Sequence, residues 1–522
     1  MPIKIETFSG EMPARHPRLL PPNGAQVASN VLLDRGSLRP LRAPAVSNTL
    51  AVDADNIILH RGTWIPVDDN AWAAPGPVAD DRLYITSDDA PVLLFEGVSR
   101  PLVLAAPTSG PSAVPNAAVD TTLAESTVFT YTYVTDLGEE SQPAPLSGAI
   151  ALDPEQTAAI GGFTAPPTGR GITRRRIYKS VTSLSAATGL FFVHEEDVGN
   201  GTLTFDPELH PAGEALPSAD YDPAPANMQG IITMPNGMMA AFAGQELMFC
   251  EPFLPHAWPI KYRLKTDYPI VALSAFGTML AIMTEGTPYR AQGTHPDQMQ
   301  MEKIEQNLPC VAARGAVDVG YAAVYPSSEG LVTMSADNAV LVTRGLLTLD
   351  QWVALRPETF IASQWSGQYV ASHLTAADAR ITRLFNLQEG NAYITRSPMQ
   401  ARAWYHDIRT GFLYALIGAR SIQRWHAPAS DDATFTWRSA VYDVRYPISF
   451  AVAVIEGVAS ASATPEVALN IYADGQLIHT ITEMNVPRKL PAILAQEWQV
   501  EIVSNAEIQR VVVAEDMEAL GR

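Results

Sequence analysis

The chain has 522 residues, 47% hydrophobic and 17% charged, with 35 Lys and Arg against 55 Asp and Glu for a formal net charge of −20. That composition belongs to a globular chain of more than one domain rather than a disordered one. The charge excludes a protein that grips nucleic acid by neutralising phosphates, which takes clustered basic residues. Apolar runs such as 101–107 and 450–463 fall short of the roughly 20 residues that span a bilayer, so no membrane-spanning segment is expected. The N-terminal segment lacks the apolar stretch of a secretion signal, which leads to the expectation of a protein retained in the cytoplasm where it is made. Cys250 and Cys310, far apart in sequence, form no disulfide framework and supply no zinc site by themselves.

Forty-one prolines and 34 glycines punctuate the chain, and between them lie short runs rich in Val, Ile, Thr, Tyr and Phe. This is the pattern of strands and turns. Residues 1–29 read as an extended N-terminal arm. Residues 30–105, with "NIILHRGTWIPV" and "DRLYITSDDAPVLLFEG", read as the first strands of a propeller. Residues 112–222 read as an inserted immunoglobulin- or fibronectin-like β-sandwich: Phe129, Tyr131 and Tyr133 alternate with Thr, a turn follows at Leu137-Gly138, and Pro-rich stretches flank the segment. The segment "DPEQTAAI" (153–160) suggests a short helix.

From 226 to 450 an apolar strand, a Gly-containing turn and a second apolar strand recur. Turns at Asn236-Gly237, Gly277, Gly330, Gly367 and Gly411 are spaced at roughly 40 to 50 residues, the period of four-stranded propeller blades. Asn-Gly is a hairpin signal because a type I′ turn needs positive φ at both central residues. "TLDQWVAL" (348–355) predicts a short helix capped by Thr348. Residues 451–522 add C-terminal β-hairpins, with turns at Asp474-Gly475 and Asn505, that close or cap the propeller. The expected fold class is therefore mainly β: a β-propeller-like domain interrupted by a sandwich.

The chain carries no phosphate loop, dinucleotide fingerprint, nucleophile elbow or His-Glu-x-x-His. His194, Glu195 and Glu196 are adjacent, but strand neighbours face opposite sides and cannot converge on one metal. Asp53, Asp55 and Asn56 resemble a calcium loop only faintly, lacking the following Gly and the distal Glu. Asp68-Asp69 and Asp80-Asp81 are acidic pairs of a kind common in turns. The expectation is a non-enzymatic protein with no catalytic, cofactor-binding or metal-ligating residues and no cofactor.

Two stretches are candidates for subunit contact. Arg170, Arg174, Arg175, Arg176 and Lys179 form a basic cluster in which Arg174 and Arg176 share a strand face. It reads either as a docking patch for an acidic neighbour or as a polar face or edge that discourages sheet aggregation. The segment "EPFLPHAWPIKYRLKTDYPI" (251–270) is held extended by Pro252, Pro255, Pro259 and Pro269. Its Phe253, Trp258, Tyr262 and Tyr268 offer large contact area. A carbohydrate-binding platform and a long loop packed by its own side chains are the other readings.

The phrases "FSGEMPARHPRLLPPNGAQVASNVLLDRGSLRPLR" (8–42), "CEPFLPHAWPIKYRLKTDYPIVALSAFGTML", "NLPCVAARGAVDVGYAAVYPSSEGLV" and "LLTLDQWVALRPETFIASQWSGQYV" resemble the tail tubular, or nozzle, proteins of short-tailed bacteriophages, the DNA-stabilisation type. The likeness runs from about residue 8 to 370 and weakens beyond. It implies a virion tail protein that forms a ring, usually of six copies, beneath the portal and the head-to-tail adaptor ring. Such a ring extends the DNA channel, retains the packaged genome, holds tail fibres or a tail needle, and passes double-stranded DNA without specific binding. An acidic channel wall would repel the DNA backbone and let it slide. The alternatives from other classes are a receptor- or glycan-binding tail module and a hydrolase of surface polymers.

Overall fold

The computed structural model describes residues 2–79, 81–118, 124–182, 188–388, 390, 392–459 and 465–520. Asp80 of the Asp80-Asp81 pair and the end of the 450–463 apolar run lie outside the described residues. The fold is mainly β, built of propeller-like four-stranded blades with an inserted β-sandwich. The one α-helix among the described residues, Leu349–Ala354, has Thr348 as N-cap, with Gln351 closing a capping box. The chain divides into two compact units, residues 1–69, 283–288 and 304–522, and residues 70–282 and 289–303.

The second unit holds three antiparallel blades. Their strands are Trp72–Pro75, Arg82–Thr86, Val92–Phe95 and Val98–Pro101, then Gln229–Thr233, Met239–Ala243, Glu246–Phe249 and Leu264–Lys265, then Ile270–Phe276, Met279–Thr284, Tyr289–Gln292 and Gln300–Lys303. Each is a meander of strands consecutive in the chain, and antiparallel neighbours need no crossover. Asn236 (φ 60°) and Gly237 (φ 74°) adopt the left-handed conformation that the Asn-Gly signal predicts.

Between the first and second of these blades sits the sandwich. One sheet holds Phe129–Thr135, Ile172–Thr182 and Thr188–Asp197. The other holds Ser112–Pro115, Ala158–Gly161 and Leu203–Phe205, and Glu125–Thr127 pairs with Ile150–Leu152 alongside. Phe129, Tyr131 and Tyr133 point into the shared core with Ile160, Ile177, Leu203 and Phe205. Thr130 and Thr132 face the other way and are also buried. Thr130 Oγ1 donates to Ala144 O and Thr132 Oγ1 to Glu140, while Ser141, Ala144 and Ser147 donate backbone hydrogen bonds to the carbonyls of Tyr133, Tyr131 and Phe129. The edge of the sheet is thereby closed off.

The expected helix at 153–160 is absent: a turn, in which Gln156 N–H donates to Asp153 O at 3.0 Å, leads into the strand Ala158–Gly161. Gln156 also accepts from Asp153 N–H, the reciprocal pattern of a helix start. The following Ala-Ala-Ile gains more from pairing with Ser112–Pro115 and Leu203–Phe205, so tertiary pairing overrides helix propensity.

In the first unit, two blades have strands Val317–Asp318, Ala323–Pro326, Leu331–Met334 and Ala339–Leu341, and Ile361–Trp365, Gln368–Leu374, Arg380–Asn386 and Tyr393–Ser397. A third, Ala401–Asp407, Phe412–Ile417 and Ser421–Arg424, takes its fourth strand, Ala45–Thr49, from the N-terminal region. Asn56–His60 and Thr63–Val67 form a hairpin.

The two chain ends build a further two-sheet layer. Ile3–Ile5 pairs with Glu507–Ala514, and Ala25–Ser29 with Phe435–Ser439. Ile5, Phe8, Trp437, Phe450, Leu469, Trp498 and Val511 fill one core. The N-terminal arm is therefore in part sheet. Its Glu11, 1% exposed, is anchored by Arg396 at 2.7 Å and by the N–H of Ala28 at 2.9 Å.

Candidate functional site

The proline-rich segment leaves the strand Glu246–Phe249 and returns at Leu264–Lys265. Its first part is a chain of turns: Leu254 N–H donates to Glu251 O, Ala257 N–H to Leu254 O and Glu251 N–H to Ala257 O. Phe253 is held at φ 63°, with its N–H on Gly237 O at 2.8 Å. The phenyl ring lies so close over Gly237 that an added Cβ there would fall 2.5 Å from it. Gly237 is thus required twice, for its positive φ and for this approach.

Within this loop the four aromatic candidates separate. Trp258 is fully buried against Tyr84, Leu93, Met239 and Met248, with its indole N–H on Pro255 O at 2.8 Å. Tyr262 is 6% exposed and packs with Phe249, Leu273 and Leu280. Neither presents a contact surface. Prolines fix the loop close to the blades, and burying two large rings there stabilises it by a few kcal/mol, so Trp258 and Tyr262 act as anchors. Phe253 (55% exposed) and Tyr268 (44%) remain at the surface, joined by Ile260 (61%), which the sequence reading did not single out.

The arginine cluster has another outcome. Ile172–Thr182 pairs on both sides, with Phe129–Thr135 and with Thr188–Asp197, so it is a central strand and not an edge. Arg174 and Arg176 do share a face, where Glu195 bridges them. Arg175 faces the opposite way, buried, bonded to Glu196 and lying over the Phe163 ring at 3.6 Å. Glu195 and Glu196 therefore sit on opposite faces, while the His194 ring packs against His210.

Arg176 also bonds Glu140 at 2.8 Å. The Glu140 carboxylate accepts in addition from Tyr178 OH (2.6 Å), Thr132 Oγ1 (2.8 Å) and Ser218 Oγ (3.2 Å). Next to it Glu139 receives Arg170, 1% exposed, at 2.6 Å. His256, from the proline-rich loop, places Nε2 3.1 Å from Glu140 O and Nδ1 3.9 Å from Glu139 Oε1.

Burial, reinforced by the bond to Glu140, pushes the Tyr178 phenol well above its ordinary range. Burial lowers Arg176, but its bonds to Glu195 and Glu140 outweigh that and raise it overall. Burial would raise Glu195, and Arg176 and Arg174 reverse the sign. Burial lowers His256 below the ordinary imidazole value. Arg174 and Arg176 pair with carboxylates of the sandwich itself, Glu195 and Glu140, while each keeps more than a third of its side chain exposed. Glu139, Glu140 and His256 were not singled out in the sequence. An acidic pair within reach of an arginine run in the same domain was the available signal.

Elsewhere, Asp53 pairs with Arg420, Asp55 with Arg402 and Asp69 with Arg314. Cys250 and Cys310 are buried free thiols whose pKa burial pushes up to about 12. Among the described residues no three His, Cys, Asp or Glu side chains stand close enough to hold a metal ion. No helix among them is long and apolar enough to cross a membrane.

These features define a mainly β, propeller-like scaffold with a locked sandwich and an anchored loop bearing exposed apolar side chains. No family profile and no curated protein matches the sequence. Among solved structures it is similar to the extracellular domain of a one-component system of B. thetaiotaomicron, at 10% identity over 85% of this chain and 47% of that one, with a TM-score of 0.21. It is also similar to Hsv2 of Kluyvelomyces marxianus, at 10% identity over 61% of this chain and 96% of that one, with a TM-score of 0.25. A third is YCF48 of Cyanidioschyzon merolae, at 9% identity over 74% of this chain and 98% of that one, with a TM-score of 0.23. The chain spans about half the length of the first of these.

Proposed function

We propose that the chain is a non-catalytic structural subunit of the tail nozzle ring of a short-tailed bacteriophage, extending the DNA channel beneath the portal and adaptor. The resemblance of residues 8–370 to tail tubular proteins suggests the class. The observation that carries the reading is the proline-rich loop, in which buried Trp258 and Tyr262 fix the backbone while Phe253, Ile260 and Tyr268 stay exposed. Rigid loops with exposed aromatic and branched side chains supply interface anchors at low entropic cost. A ring subunit needs such surfaces, since head-to-tail contacts repeat around a closed axis. At −20 per copy, a ring is strongly acidic, and acidic groups on its inner wall would let DNA slide.

The test is assembly on the portal–adaptor complex, followed by mass photometry and negative-stain microscopy. The wild-type chain is expected to add as a ring, and Phe253→Ser with Tyr268→Ser to remain monomeric with unchanged folding. Wild-type-like rings from the double variant, or saturable glycan binding through these two rings, would contradict the reading.

A further inference from the structure

The link between strands Tyr393–Ser397 and Ala401–Asp407, in the first unit, separates two cavities. One, of about 370 Å³, is bounded mainly by Leu41, Pro44, Met399, Ile417, Trp425 and Ala433. The other, of about 640 Å³, is bounded by Asp55, Asp69, Arg314, Asp378, Arg380 and Arg402. Gln400 borders both, and Ile417 of the first is followed in the chain by Gly418 of the second. The two cavities therefore adjoin at Gln400 and at the Ile417–Gly418 peptide.

The first chamber holds a donor that the protein leaves unmet, and the second a cation without an ion pair among the described residues. Trp425 is 5% exposed and held edge-on by Trp404 (5.7 Å) and Trp365 (6.0 Å), and its indole N–H is buried with no acceptor. A buried donor without a partner is costly, and Trp is normally placed where its N–H can be satisfied. In the second chamber the three carboxylates already have cations: Asp55 has Arg402, Asp69 has Arg314, and Asp378 has Arg356 at 2.8 Å.

Arg380 is different. Its guanidinium makes one long bond, 3.5 Å to Thr359 O, and among the described residues it has no ion pair. It is also partly buried: burial weighs most against its charge, the nearby Asp69 carboxylate favours it, and Arg402 opposes it. A mostly apolar chamber with a buried unmet indole N–H, beside a polar chamber in which Arg380 has no ion pair among the described residues, is complementary to an apolar body joined to an oxyanion. The two volumes fall within the range of small-molecule pockets.

We propose that this pair of adjoining cavities binds a small amphipathic anion: a ring system or branched chain seated against Trp425, carrying a carboxylate, sulfonate or phosphate that pairs with Arg380. The site is independent of the ring-forming loop. An anionic group on Arg380 supplies a direct ion pair, and an acceptor atom on the apolar body meets the Trp425 N–H.

The test uses 1-anilinonaphthalene-8-sulfonate as probe, with N-phenyl-1-naphthylamine as the same apolar body lacking the sulfonate. Fluorescence titration of the full chain is expected to give one saturable sulfonate site per chain. Arg380→Ala is expected to weaken the sulfonate by about tenfold or more and to leave the neutral probe unchanged, as loss of a charge-assisted contact does. Arg380→Lys is expected to fall between the two. Ala43→Trp, which fills the apolar chamber from a partly buried loop position, is expected to abolish both. Equal sulfonate affinity in the wild type and Arg380→Ala, neutral-probe binding as tight as the sulfonate's, or no saturable binding at all would each overturn the proposal.

Discussion

Replacing Glu140 by Ala removes the acceptor on which Thr132, Tyr178, Ser218 and Arg176 converge. Glu140 is 6% exposed and Tyr178 2%, so water does not readily replace the lost carboxylate. Breaking a buried pair by removing one partner costs about 3–5 kcal/mol. Arg176 keeps Glu195 at 2.6 Å, which places the expectation at the lower end, about 3 kcal/mol, or roughly a hundredfold in the local opening equilibrium. Native-state hydrogen exchange reads that quantity directly without assuming that a chain of several domains unfolds in one step. Amides of Phe129–Thr135 and Ile172–Thr182 are expected to lose about two decades of protection. Those of Phe435–Ser439, in the other unit, are expected to be unaffected. Glu140→Gln keeps an acceptor oxygen and is expected to lose less. Protection within threefold of wild type in Glu140→Ala would refute the claim that this network holds the sandwich sheet together.

Gly237→Ala meets both a left-handed φ and the Phe253 ring, whereas Gly411→Ala meets only φ 69° in open space. Chemical denaturation is expected to show about 1 kcal/mol lost at Gly411 and clearly more at Gly237. Trp437, fully buried with its indole N–H on Ser9 O at 2.9 Å, ties the N-terminal arm to the C-terminal sheets. Trp437→Ala is expected to cost about 3–5 kcal/mol and to expose the arm to limited proteolysis. His373, 2% exposed, has its pKa lowered from 6.5 to about 4 by burial and then by Arg383. Below the unfolded value the unfolded chain takes up a proton that the folded chain refuses, so this stability is complete above about pH 6.5 and is lost as pH falls toward 4, at most about 3 kcal/mol. Denaturant midpoints across that range are expected to fall less steeply in His373→Gln than in wild type.

Local signals were legible where a few residues decide the conformation. Asn236-Gly237 and Asp474-Gly475 take the positive φ values their types favour, and Thr348 with Gln351 closes a capping box. The Phe129-Tyr131-Tyr133 alternation is readable because the strand period is two. What stayed hidden depends on distant partners. Ile3–Ile5 finds Val511–Val513, and nothing in an arm sequence names a strand so far along the chain. The prolines of 251–270 suggest an extended path, where the structure instead folds 251–257 into a chain of turns, and which rings turn inward is set by the cavities the blades leave for Trp258 and Tyr262. The arginine strand advertised charge, but its neutralisation by Glu140, Glu195 and Glu196 required the register of the sandwich.

The central claim is tested most directly by electron microscopy of virions in which the chain carries a gold label at its C-terminus. The account predicts a ring of label on the tail axis directly beneath the portal and adaptor. Label at the tips of peripheral fibres, or particles that lack the chain, would contradict it.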